Sequence, residues 1–233
     1  MSEPVSISYF SDVLCVWAYV AQIKIDELRR NFGDGVVVDE RFVSIFGNTS
    51  GRIGKRWAER GGFRGYADHV REVGRGFPHV EINPDVWGEP HPASSLSAHL
   101  FARAARLVES RGGIDAARID AFDGRTAVEE LTWRLRVAFF RDCQDLSRRG
   151  VQERVAAGLE LPIDGIRAHI EDGTAFAALA ADHEAAASLD IAGSPTLAIN
   201  EGRQKLYGNV GYRIIEANVQ ELMRDDRDVA SWC

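Results

Sequence analysis

The chain has little that would tie it to a membrane, a metal or a nucleic acid. No stretch approaches the ~18 consecutive apolar residues of a bilayer span, and Met1-Ser2-Glu3-Pro4 is not the basic start of a secretory leader. The expectation is a cytoplasmic protein. Cysteine is scarce: Cys15, Cys143 and Cys233 are three, an odd count at wide spacing, which excludes a disulfide framework. None of His69, His79, His91, His99, His169 and His183 pairs with another at i, i+4, so no metal site is expected. A net charge of −7 with no long basic run argues against nucleic acid. Gly61-Gly62 lacks the following Lys-Ser/Thr of a phosphate loop, and no repeat recurs at a fixed period. What remains is an ordinary globular composition, 45% hydrophobic and 27% charged, over 233 residues. That length buries a core without disulfides or metals.

The chain is organised around Tyr9-Phe10-Ser11-Asp12-Val13-Leu14-Cys15-Val16-Trp17-Ala18-Tyr19. An apolar, β-prone run from Val5 to Phe10 stops at Ser11-Asp12, a cysteine follows, and helical spacing begins near Trp17. A thiol at a helix start faces unpaired N–H groups and the positive end of the helix dipole, which favours the nucleophilic thiolate. The alternative is a cysteine buried as a small hydrophobe.

In chain order, Val5–Phe10 reads as a strand, Trp17 to about Phe32 as a helix and Val36–Val43 as a second strand, a β-α-β unit with parallel strands. Residues 52–76 are rich in Arg and Gly and weakly periodic, and Phe77 to Pro92 is irregular. Helices follow at about 94–110, 128–142, 150–157, 164–171 and 174–189. Gly193 then precedes a strand over 194–200, a turn at Glu201-Gly202, a second strand to Tyr207 and a closing helix over 212–223. The expected fold is α/β: residues 1–44 and 191–224 form one sheet-and-helix domain, residues 45–190 a mainly helical insertion, and residues 225–233 a loose tail.

That order, with Cys15 at the first helix and Gly193-Ser194-Pro195-Thr196 before the third strand, resembles the thioredoxin fold. The helical insertion makes the chain similar to the DsbA-like group of FrnE-type disulfide oxidoreductases, kappa-class glutathione transferases and 2-hydroxychromene-2-carboxylate isomerases. The resemblance spans the whole chain and also draws on Pro92, Ala98-His99 and Tyr207-Gly208-Asn209. It implies a cis Pro195 facing Cys15, with the Ser194 backbone free to pair with a peptide or a glutathione cysteinyl unit. It also implies that Trp17, Ser194, Pro195, Thr196 and Asn209 bind the substrate or thiol. The chain departs from the group at Ala18, where the oxidoreductases carry the second cysteine of C-x-x-C. It departs again at Val210, where the transferases carry an aspartate. Three readings follow: exchange through Cys15 alone, with a small thiol or protein disulfide as substrate; a glutathione-dependent transferase or isomerase; or a binding module without turnover. No tightly bound cofactor is implied, and glutathione enters as a co-substrate.

Other groups have plainer readings. Asp12 would cap the helix start or, turned inward, oppose thiolate formation at Cys15, and His99 would lie near the active site. Arg52, Lys55, Arg56, Arg60 and Arg64 are either a solvated face or an anchor for the carboxylates of glutathione. Cys143 is a packed or half-exposed thiol rather than a partner for Cys15. Cys233 is either a free terminal thiol or a resolving partner for Cys15. The alanine-rich helix near residue 180 allows a homodimer.

Overall fold

The computed structural model describes residues 3–89 and 91–224; the expectations for the 225–233 tail and Cys233 lie outside them. Four strands form one sheet, β1 (Val5–Ser11), β2 (Val36–Phe42), β3 (Thr196–Ile199) and β4 (Gln204–Tyr207), in the order β2-β1-β3-β4. β1 and β2 run parallel, with Tyr9 opposite Glu40, whereas β1–β3 and β3–β4 are antiparallel. The parallel pair needs a crossover, which α1 (Val16–Phe32) supplies. Alternation along β1 then sorts its side chains. Ile7 and Tyr9 pack with Ile25 and Leu28 of α1 and with Ile215 and Val219 of α8 (Tyr212–Met223). Phe10 faces the other side, against Ala186 of α7 (Thr174–Ser188).

Between β2 and β3 the long elements are all helices, joined by extended loops: α2 (Gly62–Arg75), α3 (Leu96–Ser110), α4 (Ala127–Phe140), α5 (Arg149–Ala157), α6 (Ile163–Glu171) and α7. Their main core also takes in Leu14 from the turn before α1 and Val16 and Val20 from its start. The weakly periodic stretch holds a full helix, α2, because its glycines serve close packing. A Cβ at Gly65 would lie 1.7 Å from the Arg60 carbonyl oxygen, and one at Gly74 would lie 2.7 Å from Ile82.

α1 meets α4 through a buried polar seam that an apolar-period reading misses. Arg29 donates to Glu129 at 2.7 Å, and Arg125 bridges Asp26 (2.5 Å) and Glu130 (2.9 Å). Arg136, fully buried, donates to Gln22 Oε1 (2.6 Å) and Ser11 Oγ (2.8 Å). Glu129 also closes a capping box with Thr126 at the start of α4. Removing one partner of such a pair strands a buried charge. Glu129→Ala should therefore cost about 3–5 kcal/mol. Arg29→Met combined with Glu129→Gln keeps the cap acceptor and leaves no stranded charge, so it should cost clearly less. Urea denaturation of both variants checks the order.

Candidate active site

Cys15 is the residue immediately before α1, in extended backbone. Its N–H donates to the Asp12 carbonyl (3.0 Å), closing a tight turn, and its own carbonyl accepts from Ala18 (3.1 Å) and Tyr19 (3.0 Å). The thiol leaves the helix and donates to the Ser194 carbonyl at 3.2 Å. The Ser194–Pro195 peptide is cis. A second bond runs beside the first, from the Asp12 N–H to Ser194 Oγ at 2.9 Å. The loop after β1 and the loop before β3 are thus joined at the sulfur.

Burial changes the chemistry expected of that sulfur. Cys15 is 5% exposed, and no side-chain bond from it caps α1. Burial pushes its pKa up, and the charge of Asp12 adds to this. Contacts with Ser194 and with the Ala18 and Trp17 amides pull the other way without offsetting it. The helix start therefore does not yield the resting thiolate expected from its position: desolvating the anion outweighs the nearby N–H groups.

Asp12 does not cap the helix. It is wholly buried, with Oδ1 accepting from the Leu14 N–H (2.9 Å) and Oδ2 from the Phe46 N–H and Ser95 hydroxyl (2.8 Å each). Burial alone would raise its pKa, but the hydrogen bonds that the carboxylate accepts, among them those from the Phe46 and Leu14 amides, hold it below the usual carboxylate range. His99, on α3, is also fully buried. Its ring stacks on Phe42 at 4.6 Å, and Nε2 accepts the Val13 N–H at 3.1 Å and lies 3.5 Å from Asp12 Oδ1. A backbone donor facing Nε2 requires a lone pair there, which places the ring proton on Nδ1. His99 shapes the loop that carries Cys15.

The other expected site residues divide. Trp17 is half-buried, edge-on to Phe77 and beside His69. Ala18 is fully buried. Thr196 turns its hydroxyl back to the Gly193 carbonyl (3.0 Å). Asn209 Oδ1 accepts from Lys24 Nζ at 2.5 Å, tying the end of the hairpin to α1. Cys143 is half-buried just past α4 and lines a cavity with Trp87 and Phe139. Of the basic cluster, Arg52 and Arg56 line a cavity of about 560 Å³ with Ser44, Gly47 and Asn48, next to the Phe46 amide that Asp12 holds. Lys55, Arg60 and Arg64 are exposed. Among the described residues no group of three or more His, Cys, Asp or Glu is placed to hold a metal, and no helix is long and apolar enough to cross a membrane.

Tyr66 of α2 is a neighbour that the sequence did not reveal. It is buried against Trp57 (4.9 Å) and Phe46 (5.8 Å), and its pKa is pushed up by burial first and then by Cys15. Its helix carries no motif that would mark it.

Asp12→Ala should leave two amides and a hydroxyl without an acceptor, a loss of about 3–5 kcal/mol in chemical denaturation at neutral pH. Because the folded-state pKa is depressed, this contribution is present above the unfolded aspartate range and fades as pH falls through the folded value. The gap between Asp12→Asn and the parent protein should therefore narrow in acid.

No family model and no curated protein matches the sequence. Solved structures do match the fold. A Streptomyces coelicolor protein described as a probable DsbA oxidoreductase aligns at TM-score 0.69 and 17% identity, over 98% of this chain and 94% of its own. The cytosolic disulfide reductase DsbM of Pseudomonas aeruginosa aligns at 0.62 and 19%, over 93% and 99%, and has also been solved with GSH. 2-Hydroxychromene-2-carboxylate isomerase aligns at 0.61 and 13%, over 97% and 100%. The chain therefore has the thioredoxin-like fold of DsbA-type proteins, with a helical segment between its second and third strands.

Proposed function

We propose that this chain is a cytoplasmic thiol–disulfide oxidoreductase working through one sulfur, Cys15, with an external thiol of the glutathione type completing the cycle. The observation that carries the proposal is the 3.2 Å contact of Cys15 Sγ with Ser194 O, in a site where Ala18 occupies the place of a second cysteine. The substrate is a small or protein-borne mixed disulfide. After losing its proton, Cys15 attacks one sulfur of that disulfide. A new S–S bond forms and the other half leaves as thiolate. With the small-thiol half of the substrate held on Cys15, an external thiolate of the same kind then attacks its sulfur, releases Cys15 and departs as a symmetrical disulfide. The larger half of the substrate leaves as a thiol, one external thiol is consumed and leaves joined to the substrate's small-thiol half, and no other oxidant or reductant is needed. Arg52 and Arg56 hold the carboxylates of the small thiol in their cavity. The likeness in fold to DsbM, a cytosolic disulfide reductase also solved with GSH, supports this reading.

A second reading rests on the raised Cys15 pKa. A neutral S–H is a donor, and it would hold the glutathione sulfur without bonding to it, as in a glutathione-dependent transferase or isomerase. Mass spectrometry after exposure to oxidised glutathione separates the two, because only exchange leaves a glutathionyl adduct on Cys15.

Reduction of a glutathionylated peptide should fall to background in Cys15→Ser and persist in Cys143→Ser. Retained turnover in Cys15→Ser rules out the single-sulfur cycle. Alkylation of Cys15 by iodoacetamide should rise about tenfold per pH unit and show no plateau below about pH 8.5, the ordinary thiol value. Peptide mapping across pH 6–10 reads this directly.

A further inference from the structure

The most exposed large apolar side chain among the described residues is Tyr207, at 69% exposure, the last residue of edge strand β4. It is not loose. Its backbone pairs with Thr196, and the next residue, Gly208, donates to the Pro195 carbonyl at 2.8 Å. The phenol ring lies on Gly193. A Cβ there would sit 2.2 Å from Tyr207 Cε2 and 2.8 Å from its hydroxyl oxygen. Gly193 does not have a positive φ, so its backbone accepts any residue. The ring alone demands glycine. One residue on, the Ser194 carbonyl receives the Cys15 thiol. The Cε2 and hydroxyl edge of an aromatic ring thus abuts backbone a single residue from the reactive sulfur's contact, and the remainder of the side chain is exposed.

Resting on the single-sulfur reading above, we infer that Tyr207 is a specificity-determining residue: a platform for the side chain next to the cysteine of an incoming peptide disulfide, favouring aromatic and apolar neighbours over acidic ones. A rigid, half-clamped ring offers contact area at low entropic cost, and ring–ring contacts add specificity beyond the buried area. An acidic neighbour gains nothing from the π face, which carries the negative end of the ring quadrupole.

Two synthetic probes test this, Ala-Cys-Phe-Ala and Ala-Cys-Asp-Ala, each glutathionylated on cysteine. Tyr207→Ala should lower kcat/KM for the Phe probe by about 3- to 10-fold, mainly through KM, and leave the Asp probe within about twofold. Tyr207→Phe should keep the parent preference. Gly193→Ala, whose new methyl displaces the ring, should reproduce the loss in the parent background and be silent in Tyr207→Ala, a non-additivity expected only if the ring is the shared element. Equal effects on both probes, or a Gly193→Ala cost that persists without the ring, overturn the platform. Absence of turnover with both probes in the parent protein instead overturns the single-sulfur reading beneath it.

Discussion

The site depends on one buried carboxylate. Asp12 gathers the Leu14 amide, the Phe46 amide and the Ser95 hydroxyl, which belong to the Cys15 turn, the loop after β2 and the start of α3. An unpartnered charge at that depth would be prohibitive, so the three segments are held wherever the carboxylate's lone pairs are filled. His99 completes the arrangement by accepting the Val13 amide that the turn leaves over. The Asp12 amide in turn reaches Ser194, so the same residue fixes the opposite arm of the site.

This anchoring explains why Cys15 is so enclosed. The turn is drawn inward, the sulfur meets the Ser194 carbonyl, and Val13, Leu14 and Val16 around it are fully or almost fully buried. Enclosure raises the thiol pKa although the helix begins one residue later. Position in sequence gives a thiol its neighbours along the chain, whereas its protonation depends on how much water those neighbours exclude. The nearby Asp12 charge works in the same direction, so the carboxylate that builds the site also keeps its sulfur protonated at rest.

Much of the architecture was legible from pattern. The run Val5–Phe10, the helix after Cys15 and the β-β-α ending all occur within a residue or two of where composition and period place them. α2 was not legible: Tyr66, Ala67, Val70 and Val73 do fall on one buried face, but Gly61, Gly62, Gly65 and Gly74 within and before it read as loop. Nor was the α1–α4 seam: nothing local marks Asp26, Arg29, Arg125 and Arg136 as buried, and only the packing of α1 against α4 and the turn before it brings them together. Asn209 belongs to the recognised ending Tyr207-Gly208-Asn209, yet its side chain is held by Lys24.

The sequence alone determined that a cysteine stands between a strand and a helix, that alanine occupies the position three residues on, and that proline follows Ser194. These are covalent facts and local preferences, and they suffice to suggest the fold. Only the tertiary structure decided that Asp12 knots three segments instead of capping α1, that Tyr66 enters the same core as Cys15, and that the edge of Tyr207 abuts Gly193. Each of these joins residues far apart along the chain, and such contacts arise from packing and the pairing of buried polar groups, which no local window contains.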